Sequence, residues 1–283
     1  MSLPGLAVLI IFAYVPMYGI LIAFKNYKVN LGIMGSPWVG QWFRQFFSNP
    51  FALRTVRNTV IIGFYSLLFG FPAPILLALL FNELKNGRFK KTVQTLSYYP
   101  HFVSTVIIVG FLHTFCASDG LFNMIVRFFG HETINFISDA RWFRFLYVSS
   151  GIWQGVGFGT IIYLAALSGI DPTFYDVAEM DGANRFQKVL NVTLPHLRPT
   201  IVILFILAVG GLFGADTQKI LLLYNAQTYE TADVIGTYVY REGIQGARFE
   251  YSSAVGLFQT AINFFFLVFT NQIARKLNDT SLF

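Results

Sequence analysis

The stretch DPTFYDVAEMDGANRFQKVLNVTLPHLRP, residues 171–199, lies between two apolar runs, Phe145–Ile170 and Thr200–Tyr224. Each run exceeds the roughly 20 residues that a helix needs to cross the hydrocarbon core. The charged segment between them must therefore sit outside the lipid. Four more runs of this kind flank them: Leu3–Phe24, Thr59–Phe81, Thr92–Ala117 and Ser253–Ile273.

Backbone groups in lipid must be satisfied within the segment, and runs that are apolar on all sides predict helices. The alternating ten-residue segments of a transmembrane barrel are absent from this sequence. With 12% charged residues, against about a quarter in soluble domains, and a mean hydropathy of +0.57, the composition agrees. The expectation is an all-α integral membrane protein of six transmembrane helices, one domain over residues 1–283, with residues 171–199 as its principal inside loop.

Leu3–Phe24 is too long for a signal peptide and lacks a basic lead and a small-residue cleavage pattern. The bare start Met1-Ser2-Leu3-Pro4 is read as the end of a trimmed cytoplasmic lead. The densest basic cluster, NGRFKK at 86–91, favours cytoplasmic N- and C-termini by the positive-inside rule. The net charge of +6 has three open readings: anionic lipid head groups, an acidic substrate, or loop solvation. Nothing in the pattern points to nucleic acid.

Several chemistries lack their residues. No GxxxxGK[ST] occurs to cradle a nucleotide triphosphate, and no GxSxG elbow is found. The four histidines, His101, His113, His131 and His196, lack metal-site spacing, and the lone Cys116 forms no cluster, so no metal site is expected. Few ionisable groups lie in the membrane runs, which disfavours a proton or sodium relay. A conduit remains.

Within the loop, Asp171-Pro172 reads as a helix start. Phe174, Val177 and Ala178 are expected on one face, with Asp176 and Glu179 on the other. Asp181-Gly182 ends this helix, and residues 184–191 predict a second short one before Pro195 and Pro199 return the chain to the bilayer. From the residues alone this is either an amphipathic connector or a docking element for a partner's groove.

The segment resembles the EAA loop of binding-protein-dependent ABC importers. It carries Asp176-Val177-Ala178, then Gly182 after three residues, then nine residues to Val192-Thr193-Leu194-Pro195. DGA at 181–183 and LPHLRP at 194–199 are similar to the sugar-importer branch. Asp176 and Val177 depart from the usual Glu and Ala. YVPMYGILIAFKNY at 14–27, SPWVGQWF at 36–43, YYPHFVS at 98–104, LLLYNAQTYETADVIGTYVYREG at 221–243 and the terminal ARKLNDTSLF resemble the polysaccharide-type permeases.

The resemblance implies a type I ABC importer permease in a bacterial inner membrane. Its partners would be a second permease, favoured as a paralogue, two ATPase subunits and an extracytoplasmic solute-binding protein. The cargo would be an oligosaccharide or polysaccharide, with an acidic glycan such as alginate or a pectin fragment suggested by the net positive charge. No cofactor is expected on this chain; ATP-Mg belongs to the ATPase partners. Asp176, Ala178, Glu179, Asp181, Gly182, Leu194 and Pro195 become the ATPase-coupling candidates.

Pathway candidates follow from the fifth and sixth runs. Asp216 and Lys219 are costly at membrane depth, about 2.5–3.5 kcal/mol each on insertion scales. Such groups face a watery cavity, or these two pair with each other at the membrane edge. Gly210-Gly211 and Gly214 permit a break there. Resemblance to maltose-type permeases adds Gln218, Gln259 and Asn263, and sugar-stacking chemistry adds Tyr98, Tyr99, Trp153, Tyr163 and Phe258, whose other reading is packing or an interfacial belt. The aromatic loops 25–54 and 224–251 suit a docking binding protein or interfacial anchoring. An ion-coupled secondary carrier, or more remotely a membrane enzyme, is the competing function, though no clear internal repeat supports the carrier.

Overall fold

The computed structural model describes residues 2–278 and 282; of the terminal ARKLNDTSLF, positions 279–281 and 283 lie outside the described residues. Among the described residues helices dominate, and the single β feature is an isolated bridge between Lys25 and Trp38. Five helices among the described residues are long and apolar enough to cross a membrane: α1 (Leu3–Phe24), α2 (Pro50–Glu83), α5 (Ala140–Ser168), α7 (Arg185–Gly210) and Phe249–Lys276 within α9 (Phe249–Asn278). Two further pieces, α3 (Arg88–Phe102) and α4 (Thr105–Phe115), pass the same test only when taken together, as a broken span or a re-entrant loop.

That third run departs from a straight Thr92–Ala117 helix: α3 and α4 meet at 99°. Pro100 has no N–H to continue the ladder, Val103 and Ser104 are extended, and Ser104 Oγ accepts from Ile107 N to start α4.

The fifth run is also not the single helix expected over Thr200–Tyr224. Helix α7 stops at Gly210, the chain turns, and a short α8 (Thr217–Leu223) begins anew. Glycines at 210, 211 and 214 weaken helix continuation. Asp216 then nucleates α8 by accepting from Lys219 N at 3.0 Å.

At its other end α7 absorbs the predicted second loop helix. The capping box of Asn184 and Gln187 starts it, and a wide turn over Val189–Thr193 carries it into Leu194–Gly210. Pro195 and Pro199 do not return a loop to the bilayer as expected; they lie inside this continuous helix. Proline cannot donate to the residue four back, and the widened turn immediately before Leu194 absorbs the first of these lost bonds.

Helix α5 is the central post. It packs against α2 along its length, against α3 and against α7. Its approach to α3 is closest at Gly157, where a Cβ would collide with the backbone of Ser97. The core has separate layers: Tyr163, Leu167, Val192 and Leu197 lie at the loop end, and Ile62, Phe143, Tyr147 and Ile220 lie towards the other end. Large apolar side chains such as Phe12, Phe69, Leu80 and Phe264 point outward, as lipid-facing positions must.

The two aromatic loops are more deeply folded than docking surfaces need be. In the first, the fully buried Lys25 gives its ammonium to the carbonyls of Met34 and Ser36, each at 3.0 Å, beneath the Trp38 ring. In the second, Asp233, Ile235, Thr237 and Tyr238 are buried, and Arg241 clamps Asp233 through two hydrogen bonds. Buried polar groups that are this well paired fix loop geometry rather than offer it to solvent.

Candidate functional site

The loop following α5 builds a short rigid helix, α6 (Thr173–Met180). Asp171 opens it by accepting from Thr173 N at 2.9 Å and Thr173 Oγ1 at 2.6 Å. These bonds hold the Asp171 carboxyl below the usual carboxylate range. Its end is closed by Gly182 at φ +78°, with Gly182 N donating to Glu179 O and Ala183 N to Ala178 O. This paired closure requires a left-handed residue, and glycine adopts that conformation without a Cβ penalty.

Three contacts tie α6 to α7. Tyr175 Oη lies 3.1 Å from Thr193 Oγ1, the Phe174 ring sits 4.8 Å from the His196 ring, and Glu179 Oε2 accepts from Lys188 Nζ at 2.6 Å. The hydrogen bond from Lys188, followed by its charge, holds the Glu179 carboxyl below its ordinary value. Tyr175 and Ala178 pack on the core layer of Ala78, Leu167 and Val192.

The expected apolar face therefore divides. Ala178 turns inward, whereas Phe174, Val177 and Met180, spaced by three, are exposed by 52%, 52% and 87%. Asp176 and Asp181 are exposed beside them, Leu194 is half-buried and Pro195 exposed at the start of the membrane part of α7. A rigid helix with an outward apolar stripe and an acidic flank is suited to a partner's groove.

A cavity of about 350 Å³ opens deeper in the bundle, its mostly apolar wall carrying the polar groups of Ser66, Tyr147, Gln154, Asp216 and Lys219. Ser66 and Gly70 belong to a wide turn of α2, over Ser66–Gly70, just before Pro72 and Pro74. Those prolines leave the carbonyls of Leu68 and Gly70 without their usual donors, which loosens the helix where the cavity forms.

Tyr147 organises the cavity. Its hydroxyl accepts from Asp216 N at 2.8 Å, its carbonyl accepts from Lys219 Nζ at 3.2 Å, and its ring lies 5.1 Å from that ammonium. Asp216 bonds to the Lys219 backbone, and the two side chains form no ion pair among the described residues. Gln154 gives its amide to Val103 O at 3.1 Å, satisfying the carbonyl freed at the α3–α4 bend. Tyr147, Gln154 and Ser66 carry no sequence signal: each is one polar residue in an apolar run.

The remaining pathway candidates are dispersed. Gln259 donates to Phe213 O and Asn263 Oδ1 accepts from Phe213 N at 3.0 Å, so both serve the broken backbone between α7 and α8. Phe258 packs on Phe46 and Phe47, while Gln218 is exposed. Tyr163 is buried in the loop-end core, Tyr98 is half-buried, and Tyr99 is exposed. Trp153 faces away from the cavity around Tyr147 and lines an apolar groove with Phe111, Phe115 and Phe145.

Comparison with known proteins places this geometry. Residues 59–279 match the family model described as the binding-protein-dependent transport system inner membrane component. Protein LplB of Bacillus subtilis is 42% identical over 99% of this chain and 89% of its own length. The polygalacturonan/rhamnogalacturonan transport system permease protein YteP of the same organism is 42% identical over 100% of this chain and 89% of its own. Among solved structures, a chain of the bacterial alginate ABC transporter, in complex with an alginate pentasaccharide-bound periplasmic protein, matches with TM-score 0.92 and 40% identity, covering 100% of this chain and 95% of that one. The capped loop helix, the bundle of apolar spans and these matches together establish that this chain belongs to the inner membrane components of binding-protein-dependent transport systems.

Proposed function

We propose that this chain is one of two permease subunits of an ATP-driven importer that takes up an acidic oligosaccharide or polysaccharide delivered by a solute-binding protein. The observation that carries the reading is α6: capped at both ends, bonded to α7 through Tyr175 and Lys188, and exposing Phe174, Val177 and Met180. Such a helix transmits a push from a partner to two membrane helices without dissipating it in loop motion. In this reading residues 171–199 and both termini face the cytoplasm, and α6 enters a groove on an ATPase subunit that binds ATP-Mg. A paralogous second permease completes the passage.

The cavity around Tyr147 forms part of the passage. The buried Lys219 places an ammonium in its wall, with Asp216 in the same lining but not in direct ion-pair contact among the described residues. Similarity to YteP and to the alginate transporter supports an acidic glycan as cargo. An ion-coupled carrier is disfavoured by the family match. Reconstitution of this chain with its second permease, ATPase subunits and binding protein tests the proposal: uptake of an oligouronate must require ATP hydrolysis. Uptake that persists without ATP and follows an ion gradient contradicts it.

A further inference from the structure

A second cavity, of about 320 Å³, lies at the end of the bundle remote from α6. Phe51, Arg54, Tyr229, Tyr238, Arg241 and Glu242 line it, and it shares no residue with the cavity around Tyr147. Its charges are unevenly matched. Asp233 is held by Arg241, at 3.0 and 2.8 Å, and Glu242 is held by Arg248 at 2.6 Å. Arg54 has no carboxylate within ion-pair distance among the described residues. Its Nε is buried without a hydrogen-bond partner, while its guanidinium rests 5.3 Å from the Phe51 ring centre.

A buried donor left unpaired carries the full desolvation cost of that group. In a folded protein such a donor calls for an explanation, often a missing partner. Here the donor is a guanidinium, whose planar fork matches a carboxylate in two parallel hydrogen bonds. The half-buried Tyr229 adds an aromatic wall 5.6 Å from the Arg241 guanidinium, while Tyr238, only 2% exposed, backs that wall from within the core. Aromatic faces beside a forked cation suit an apolar sugar-ring face with an acidic substituent.

We infer that this cavity is an entry subsite for the carboxylate of a uronic-acid unit, with Arg54 as its binding residue. The inference rests on the oligosaccharide-importer reading and deepens it by assigning the charge preference to a particular side chain. The Arg241–Asp233 clamp holds the wall beside Tyr229, and the part of the Arg54 guanidinium that lines the cavity takes the carboxylate of the acidic sugar.

The test uses the complete transporter in proteoliposomes, with its binding protein saturating, and compares tetragalacturonate with its neutral methyl ester. Arg54→Gln is expected to raise the half-saturating concentration for the acid about tenfold and to leave that for the ester within about twofold. Arg54→Lys, which keeps the charge but loses the fork, is expected to fall between. Unchanged ester uptake shows that the variant is folded. An equal loss for acid and ester, as expected if Arg54 instead docks an acidic side chain of the binding protein, overturns the subsite, and so does no change for either. ATP-driven wild-type uptake of the ester but not the acid also overturns the subsite while leaving the importer reading intact. Uptake of neither probe by the energised wild type contradicts the acidic-oligosaccharide reading itself.

Discussion

Glu179 Oε2 and Lys188 Nζ stand 2.6 Å apart, joining α6 to the first turn of α7 across the left-handed turn at Gly182. The pair is exposed on the Glu179 side, at 75%, so solvent and salt screen it. Its value is geometric: it limits the angle between α6 and the helix that enters the membrane.

The pH dependence follows from the direction of the Glu179 shift. Its carboxyl is held down in the folded state by Lys188, so the contribution is present above the unfolded pKa and lost as pH falls through the folded one. Amide exchange protection over residues 173–188 is therefore expected to stay flat across neutral pH and to fall only in the acid range. Loss of protection already near neutrality contradicts this assignment.

Gly182 is expected to tolerate Asn and to reject Val. Its φ of +78° lies in the region that costs an ordinary L-residue about 1–2 kcal/mol, with Asn among the most tolerant side chains. No atom stands within 4 Å of a Cβ added there, so the penalty is conformational rather than a clash. Gly182→Asn should retain most uptake; Gly182→Val should lose it at normal membrane abundance. Gly182→Asp keeps the turn accessible but adds a charge beside α6, and on the proposed coupling role it should also block uptake without preventing insertion.

Gly157→Leu should be destructive in a different way. The side chain would force α5 away from the Ser97 backbone, an overpacking cost of about 1–3 kcal/mol or more. The measurement is thermal stability of the purified complex: a clear fall is expected, and an unchanged transition contradicts the close approach of α3 and α5.

Gln259 and Asn263 separate a structural from a ligand role. Each serves Phe213, and removing either partner leaves a backbone group unpaired at about 1–3 kcal/mol. Gln259→Leu and Asn263→Leu are expected to lower stability and abundance while leaving the half-saturating concentration of the remaining transporter unchanged. A selective rise in that concentration at full abundance would assign them to the substrate instead.

The apolar runs made the membrane fold readable, because lipid permits few alternatives to a helix. Asp171 and Gly182 made the first loop helix readable, because capping chemistry is local in sequence, whereas Pro195 misled, because a widened turn over Val189–Thr193 lets the helix run through it. The breaks were harder: Gly210-Gly211 signalled only that a break was permitted, and the bend at Val103-Ser104 depends on Gln154, about 50 residues away, taking the freed carbonyl. The cavity was half readable. Asp216 and Lys219 stand out as charges, whereas Tyr147, which holds both, is one aromatic among many. Burial then sorted Phe174 and Val177 from Ala178 in a way that helical spacing alone did not.

Crosslinking decides whether α6 transmits an ATPase partner's motion. The one native cysteine, Cys116, is buried, so Val177→Cys places a single accessible thiol on the outward stripe of α6. In the assembled transporter this thiol should form a disulfide with a cysteine placed in the ATPase groove, uptake should stop, and a reductant should restore it. Failure of Val177→Cys to crosslink to the ATPase, together with crosslinking from a remote position such as Val29→Cys, would contradict the account.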